Sequence, residues 1–542
     1  MEQRLIGLID KTKDYIREYH LQIPIGIGII FFIIDRILSV KLYAQKDTVV
    51  PPELTLIPLR VIFIFIVLVT AVLQILSRKY NEKTGRKLIQ DRLQYGLSLR
   101  RLFAIFQESE NGKLETGSYK KQDWTQSDGV IFGKDRHGHL ISLTSDAEGN
   151  IAVYGPPGSG KTAGVAIPSA MQFKGSVLAV DIKGDIYNYV SRHTTRKIIR
   201  FCPDNPDALT ISAHYDPLQY IREINPARQK RAVEAMACTL IPSAGGNDTH
   251  YFTDTARTFF QGILFLLMDE NPEITFPNVI HQILSGNIFN WVKRSVAGDC
   301  QNAKEKLDAY YGNNEKNVTG AYSTLTQALD SFADPLLDQL LQPGQNTISI
   351  KQMDAGYDLY LQVDQANLEV YAPLMTLIIN QIMDSLTRRP DKSTGTKTRP
   401  ILFLLDEFPQ LTFSYGQIGS ALSTLRSKQV QICIIQQNMA QLTAKYNPAQ
   451  SRSLIGNCNY QYILGSNDAE SSRYFSALIG SKTRLKMNES LGSSSKSKTL
   501  QENVEPVYRP EYFSRLPSTG KGILYAKGKY IELDKINCYK NN

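Results

Sequence analysis

The sequence predicts an α/β fold: a parallel sheet around a phosphate-binding loop, split by an all-α insertion and preceded by a two-helix transmembrane hairpin. Three observations carry that prediction. Two apolar stretches stand in tandem near the start, a strand–glycine loop–helix pattern follows at 151–162, and a strand ending in Asp-Glu comes at 400–408. The last two motifs are about 240 residues apart, far more than a compact βαβ step requires, so something is inserted between them.

The first apolar stretch, LQIPIGIGIIFFII from Leu21 to Ile34, continues through Asp35-Arg36 into ILSV. Its uninterrupted part is short of the ~20 residues a helix needs to span a bilayer. The second, from Leu54 to Leu76, is long enough and holds one charge, Arg60, whose stem can snorkel to the interface. In tandem they read as membrane helices at about 21–40 and 54–76. A cleaved signal peptide is the competing reading of the first, but no small-x-small site follows it and its 20-residue lead carries acidic residues, Glu2, Asp10, Asp14 and Glu18, that cancel its basic ones.

Orientation follows from the basic residues. The turn between the helices carries Arg36, Lys41 and Lys46, whereas Arg78, Lys79, Lys83, Arg86, Lys87, Arg92, Arg100 and Arg101 follow the second helix. The positive-inside rule then predicts that both termini and the large soluble part face the cytoplasm. The stretch 78–101 either pins the helix to anionic lipid or lines the entrance of a nucleic-acid path. With Glu82 and Asp91 as its acidic members, it holds most of the net charge of +9.

Composition narrows the class. At 542 residues, 42% hydrophobic and 21% charged, the chain is neither disordered nor collagen-like nor a coiled coil. A mean hydropathy of −0.24 excludes a polytopic transporter. The six cysteines at 202, 238, 300, 433, 458 and 538 form no C-x-x-C pair, which suits a reducing compartment.

Residues 151–162, IAVYGPPGSGKT, place a short apolar strand before Gly155, Pro156, Pro157, Gly158, Ser159, Gly160, Lys161 and Thr162, and a helix-like AGVAIPSAMQF after them. This is the Walker A pattern in its required context. The glycines let backbone N–H groups turn inward onto phosphate oxygens, and the helix adds its positive end. Lys161 reaches the β and γ phosphates of ATP, and the Thr162 hydroxyl holds Mg²⁺. The partner motif is Pro400-ILFLLDEF, where Asp406 holds the Mg²⁺ shell and Glu407 polarises the attacking water, the mark of an ATPase rather than a kinase.

Between the motifs lie a strand at 176–183, a mainly helical region at about 217–345 and a strand at 358–365. A helix over 368–386 comes next. Its MTLIINQIM is interrupted by Gln381 and Asp384 and belongs in the core rather than in a membrane. After Asp-Glu-Phe come an amphipathic helix near 417–428 and strands at 430–437 and 459–466. Strands alternating with helices around a P-loop imply a RecA-like parallel sheet. The chain divides into an anchor (1–78), a basic linker (79–140), a first nucleotide-binding half (141–216), an inserted all-α domain (217–345) and a second half with C-terminal strands (346–542). His137-Gly-His139 lacks further ligands and reads as a solvated turn. The basic, Ser-rich stretch Lys482–Lys498 reads as a flexible surface loop, or as a source of pore residues.

The assembly resembles the type IV secretion coupling proteins, the TraG/TraD-type conjugation ATPases of the FtsK/HerA superfamily. Beyond GPPGSGKT, the resemblance rests on Val180-Asp-Ile-Lys-Gly-Asp185, His214-Tyr-Asp-Pro-Leu218, Leu404-Leu-Asp-Glu-Phe408, the strand-to-turn run from Val430 to Leu442, and Tyr508-RPEYFSRLP517 followed by GKGILYAKGKY. Pro157, where Thr or Ala is more usual, and the lack of a long acidic tail depart from the pattern. The resemblance implies a membrane-anchored homo-oligomer, a hexamer, that uses ATP and Mg²⁺ to pass single-stranded DNA with its relaxase toward the channel components of a type IV secretion system. It also implies that Gln437 senses the γ phosphate, with Gln436 the alternative, and that Arg426 is supplied in trans to a neighbouring subunit. Delivery of effector proteins without DNA and a nucleotide-gated receptor platform are the competing functions.

Overall fold

The computed structural model describes residues 127–242, 249–312, 315–344, 346–491 and 496–540. The apolar stretches at 21–40 and 54–76 and the basic stretch 78–101 lie outside the described residues. Among the described residues no helix is long and apolar enough to cross a membrane.

The frame is an eleven-stranded sheet. Its strands are β1 (Val130–Lys134), β2 (Leu140–Leu143), β3 (Ile151–Tyr154), β4 (Ser176–Val180), β5 (Lys197–Phe201), β6 (Tyr357–Leu361), β7 (Ile401–Leu405), β8 (Val430–Gln436) and β9 (Tyr460–Ile463). β10 (Ser481–Leu491) and β11 (Lys496–Pro506) form a separate pair, and β12 (Lys521–Ala526) and β13 (Lys529–Asp534) complete the main sheet. The order is β2-β1-β13-β12-β9-β3-β8-β7-β4-β6-β5. From β9 to β5 all neighbours are parallel, and from β9 back to β2 all are antiparallel.

The composition of the central strands explains their place. β3, β4, β7 and β8 read IAVY, SVLAV, ILFLL and VQICIIQ and are buried at every position. A parallel strand covered on both faces has no reason to alternate. Of the two glutamines inside β8, Gln431 donates through its Nε2 to the carbonyls of Thr144 and Ala147. At the edge, β5 reads KIIRF and alternates in exposure.

Between β5 and β6 the described chain forms helices from Pro217 to Leu340 and no strand, as the 3.6-residue periodicity predicts. Several start on a side-chain cap: Asp216 accepts from the Leu218 N–H, Asn225 from Ala227 and Asp334 from Leu336. The buried residues of this block join those of one sheet face in a single hydrophobic cluster, and the helix Leu368–Leu386 lies in that shared core. In β6, beside β4, the fully buried Asp358 accepts from Arg196, whose guanidinium also donates to the carbonyls of Phe173 and Gly175. That closes a buried charge with its counter-charge, the condition under which it is tolerated.

Within Lys482–Lys498, the described residues 482–491 and 496–498 are strand rather than loop, part of a two-stranded antiparallel ribbon, β10 and β11, paired in register from Ser481↔Pro506 to Leu491↔Lys496. Composition hid it: Thr483, Leu485 and Met487 alternate with Arg484, Lys486 and Asn488, which is strand period whatever the share of Ser and Lys. His137 and His139 sit in the turn between β1 and β2, where their backbone N–H groups donate to Asp135.

Candidate functional site

β3, β8 and β7 are neighbours, and their carboxyl ends open on one edge of the sheet, where doubly wound α/β sheets bind ligands. The Walker loop leaves β3 there. Its first residue is pinned by Gly155 N–H donating to Gln436 O (3.2 Å), and the loop folds back through Ser159 N–H to Pro156 O (3.1 Å). Gly158 (φ 77°) and Gly160 (φ 94°) take the left-handed conformations that let the backbone curl, and nothing stands within 4 Å of where a Cβ on Gly158 would be. Thr162 opens the helical turn Thr162–Ala166, which continues into the helix Ile167–Gln172.

Lys161 lies under this loop, 8% exposed, and its Nζ donates to Gly155 O (2.6 Å) and Pro156 O (3.3 Å). Burial draws its ammonium below the ordinary lysine range, Asp406 and Glu407 pull it back up, and Lys183 lowers it further. The structure therefore brings Lys161, Asp406 and Glu407 into one electrostatic cluster.

Asp406 ends β7. Burial, and then the negative charge of Glu407, push its carboxyl up to about 6, against the opposing pull of Lys161. Glu407 is turned by a left-handed backbone (φ 47°, ψ 40°) unusual for a residue with a Cβ, and its N–H donates to Asp406 Oδ1 (3.0 Å). Such a conformation costs roughly 1–2 kcal/mol and survives where it aims a side chain. Here it aims Glu407 at Gln437, whose Nε2 donates to Glu407 Oε1 (2.8 Å).

That bond separates the two glutamines. Gln436 is fully buried within β8, whereas Gln437, one residue on, is half-buried and reaches the carboxylate of Glu407. Arg426 is not brought to the site. It is exposed in the turn Leu425–Lys428, which precedes β8 and so lies at the amino edge of the sheet, opposite the P-loop. At roughly 3.3 Å per residue, the length of β8 separates it from Gln437.

Two residues near the site have no role assigned from sequence, although the first belongs to the Val180–Asp185 run that carries the resemblance. Asp181, at the end of β4, is buried and close enough to add to the rise of Asp406; its carboxylate accepts from the N–H groups of Ile186 and Tyr187 and from Gln362 Nε2. The second is Lys535, whose stem passes Gly160.

The cluster fits a phosphate chain with a hard divalent cation. Ser159 Oγ and Glu407 Oε2 are buried without a protein partner, and the Lys161 ammonium donates to the carbonyls of its own loop, Gly155 and Pro156. Thr162 and Asp406 supply hydroxyl and carboxylate oxygens, the donor set Mg²⁺ prefers.

The elevated Asp406 has a measurable consequence. Its folded-state pKa of about 6 lies above the unfolded value, so the fold holds the proton more tightly than the unfolded chain does. Ionising it removes stability as pH rises from about 4 to 6, and the loss then levels off at on the order of 2–3 kcal/mol. Asp406→Asn carries no such penalty. In thermal unfolding of the nucleotide-free protein, the variant is expected to melt higher than wild type at pH 7–8 and to lose that advantage near pH 4. A variant that melts lower at every pH overturns this account.

Comparison with known proteins converges on one family. Residues 108–542 match the family described as type IV secretory system conjugative DNA transfer. Protein VirD4 of Agrobacterium fabrum is 28% identical over 447 residues, covering 78% of this chain and 63% of the relative. Conjugal transfer protein TraG of Escherichia coli is 24% identical over 438 residues, covering 73% of this chain and 66% of the relative. The chain thus spans less than two thirds of the length of these curated relatives. Among solved structures, the unbound bacterial conjugative coupling protein TrwBdeltaN70 superposes with a TM-score of 0.59 at 15% identity, over 78% of this chain and 90% of that one. The plasmid coupling protein TrwB in complex with ADP and Mg²⁺ does so with a TM-score of 0.58 at 15% identity, over 79% and 92%. At that identity the likeness establishes the fold: an α/β architecture with a mostly parallel central sheet.

Proposed function

This chain belongs to the type IV secretory system conjugative DNA transfer family, and from that premise we propose that it is a membrane-anchored coupling ATPase that moves single-stranded DNA, with its attached relaxase, to a type IV secretion channel. The observation that carries the catalytic part is the convergence of Lys161, Asp406, Glu407 and Gln437 on one sheet edge.

Bound ATP·Mg²⁺ supplies the phosphoanhydride to be cleaved and a cation that neutralises charge on its oxygens. The chain's own residues do the rest. The loop amides from Gly158 onward and the Lys161 ammonium hold the phosphates. Thr162 and Asp406 would hold the cation. Glu407 Oε2, the oxygen that Gln437 leaves free, accepts a proton from the attacking water, while Gln437 fixes the carboxylate's orientation through Oε1. Binding of ADP with Mg²⁺ by the structurally similar TrwB supports the choice of nucleotide and cation.

The anchor is supported by the apolar stretches at 21–40 and 54–76, and the cytoplasmic placement of the motor by the basic residues of 78–101. A hexameric ring is the arrangement that would let Arg426 of one subunit reach the site of the next. DNA in such a ring is gripped by its phosphates, so binding is expected to be nearly independent of sequence and steeply dependent on salt.

The test is ATP hydrolysis by the full-length protein in detergent, with and without single-stranded DNA of unrelated sequences. Stimulation several-fold by every sequence, lost between about 50 and 200 mM salt, is expected. Hydrolysis indifferent to DNA sinks the DNA motor and favours delivery of proteins; no hydrolysis in any condition leaves only a nucleotide-gated platform.

A further inference from the structure

β9 borders β3 on one flank, and β8 and β7 lie on the other, so the end of the site built by Glu407 and Gln437 has an opposite side. The chain's final described segment occupies that side. Just past β13, the Lys535 N–H donates to Gly520 O (2.8 Å). Farther along, Cys538 N–H donates to Ala163 O (3.1 Å), and the Tyr189 hydroxyl donates to Cys538 O (2.8 Å). Between these ties the backbone comes so close to the P-loop helix that a Cβ on Gly164 would stand 2.7 Å from Ile536 O. Glycine at 164 is what permits the approach.

The side chain of Lys535 is then laid along the loop, its Cδ 4.0 Å from the position of a Cβ on Gly160. Its Nζ donates to Leu464 O (3.3 Å) and Pro517 O (3.5 Å), both long for such bonds. Among the described residues it has no carboxylate partner, and burial draws its ammonium down to about 8. An ammonium with three donors, two weak acceptors and no counter-ion, placed against a phosphate loop, lacks an anion.

We propose that Lys535 is a second phosphate-contacting lysine of this site, serving the α-phosphate and ribose end of a bound nucleoside di- or triphosphate, opposite the end served by Asp406 and Glu407. The assignment rests on the nucleotide reading of the P-loop. It distinguishes the two lysines by what they sense. Lys161, beside Asp406 and Glu407, faces the end where tri- and diphosphate differ, whereas Lys535 faces the end they share.

Calorimetric titration of the full-length protein with ADP and with a non-hydrolysable ATP analogue tests this. Lys535→Met keeps the stem against Gly160 and removes the charge. It is expected to weaken both ligands by the same factor, roughly tenfold, with Lys535→Arg restoring most of the loss. Saturating ADP is also expected to slow acetylation of Lys535 by acetic anhydride in the wild-type protein, read by mass spectrometry. Wild-type affinity in Lys535→Met, a loss confined to the triphosphate, or unchanged acetylation overturns the proposal. If Lys161→Met abolishes binding while Lys535→Met does not, only the role of Lys535 falls. If the wild-type protein binds neither ligand, the nucleotide reading falls with it.

Discussion

Lys161→Ala is expected to lose nucleotide binding while keeping its fold. The ammonium donates two hydrogen bonds inside the loop and feels the charges of Asp406 and Glu407. Charge-assisted bonds of this kind contribute roughly 1.5–3 kcal/mol each, so affinity for ATP should fall by on the order of 10²–10⁴. Stability should change little, because the wild-type fold already bears the cost of a buried ammonium. The electrostatics give a second signature. Without the opposing charge, Asp406 is left to burial and to Glu407, and its carboxyl rises above about 6. Titration with ADP and ATP, alongside thermal unfolding, checks both. Wild-type nucleotide affinity in a folded Lys161→Ala protein would dismiss the P-loop as the binding site.

Glu407→Gln is expected to separate binding from turnover. The substitution keeps the shape and the left-handed turn but removes the base, and positioned general bases contribute about 10²–10⁴-fold to rate. Hydrolysis should drop by that order. Nucleotide affinity should hold or improve, since one of the two negative charges facing the phosphates is gone. Removing that charge also removes one cause of the elevated Asp406. Steady-state hydrolysis and equilibrium binding on the same preparation distinguish the outcomes. Turnover within a few-fold of wild type would assign the water-activating role elsewhere, with Asp181, whose charge also acts on Asp406, the candidate.

Which parts of this site could be read from sequence follows from how local their signals are. Lys161, Thr162, Asp406 and Glu407 each sit in a strand-to-turn motif whose residues are contiguous, so pattern and place are the same information. Gln437 was ambiguous with Gln436 because adjacent strand residues face opposite ways and the phase is set by the sheet. The bond to Glu407 supplies that phase. Lys535 had no local signal at all. It reaches Gly160 because β12 and β13 add antiparallel strands beside β9, a pairing that no motif near Lys535 announces. The β10–β11 ribbon failed for another reason, since a count of Ser and Lys cannot see alternation. Arg426 was placed by resemblance alone, and within one chain it stands at the far edge of the sheet.

The strand order has a consequence for how the protein is made. Among the described residues β3 pairs with β8 on one edge and β9 on the other, Ile151 opposite Cys433 and Tyr460. On a ribosome, the apolar strand that leads into the P-loop waits for roughly 280 further residues, about 15–60 s at about 5–20 residues per second, before its first partner exists. The helices of Pro217–Leu340 are synthesised during that wait and can bury their own surface early, because their contacts are local. A nascent chain released before β8 should therefore be aggregation-prone and unable to form the nucleotide site, however complete its Walker sequence.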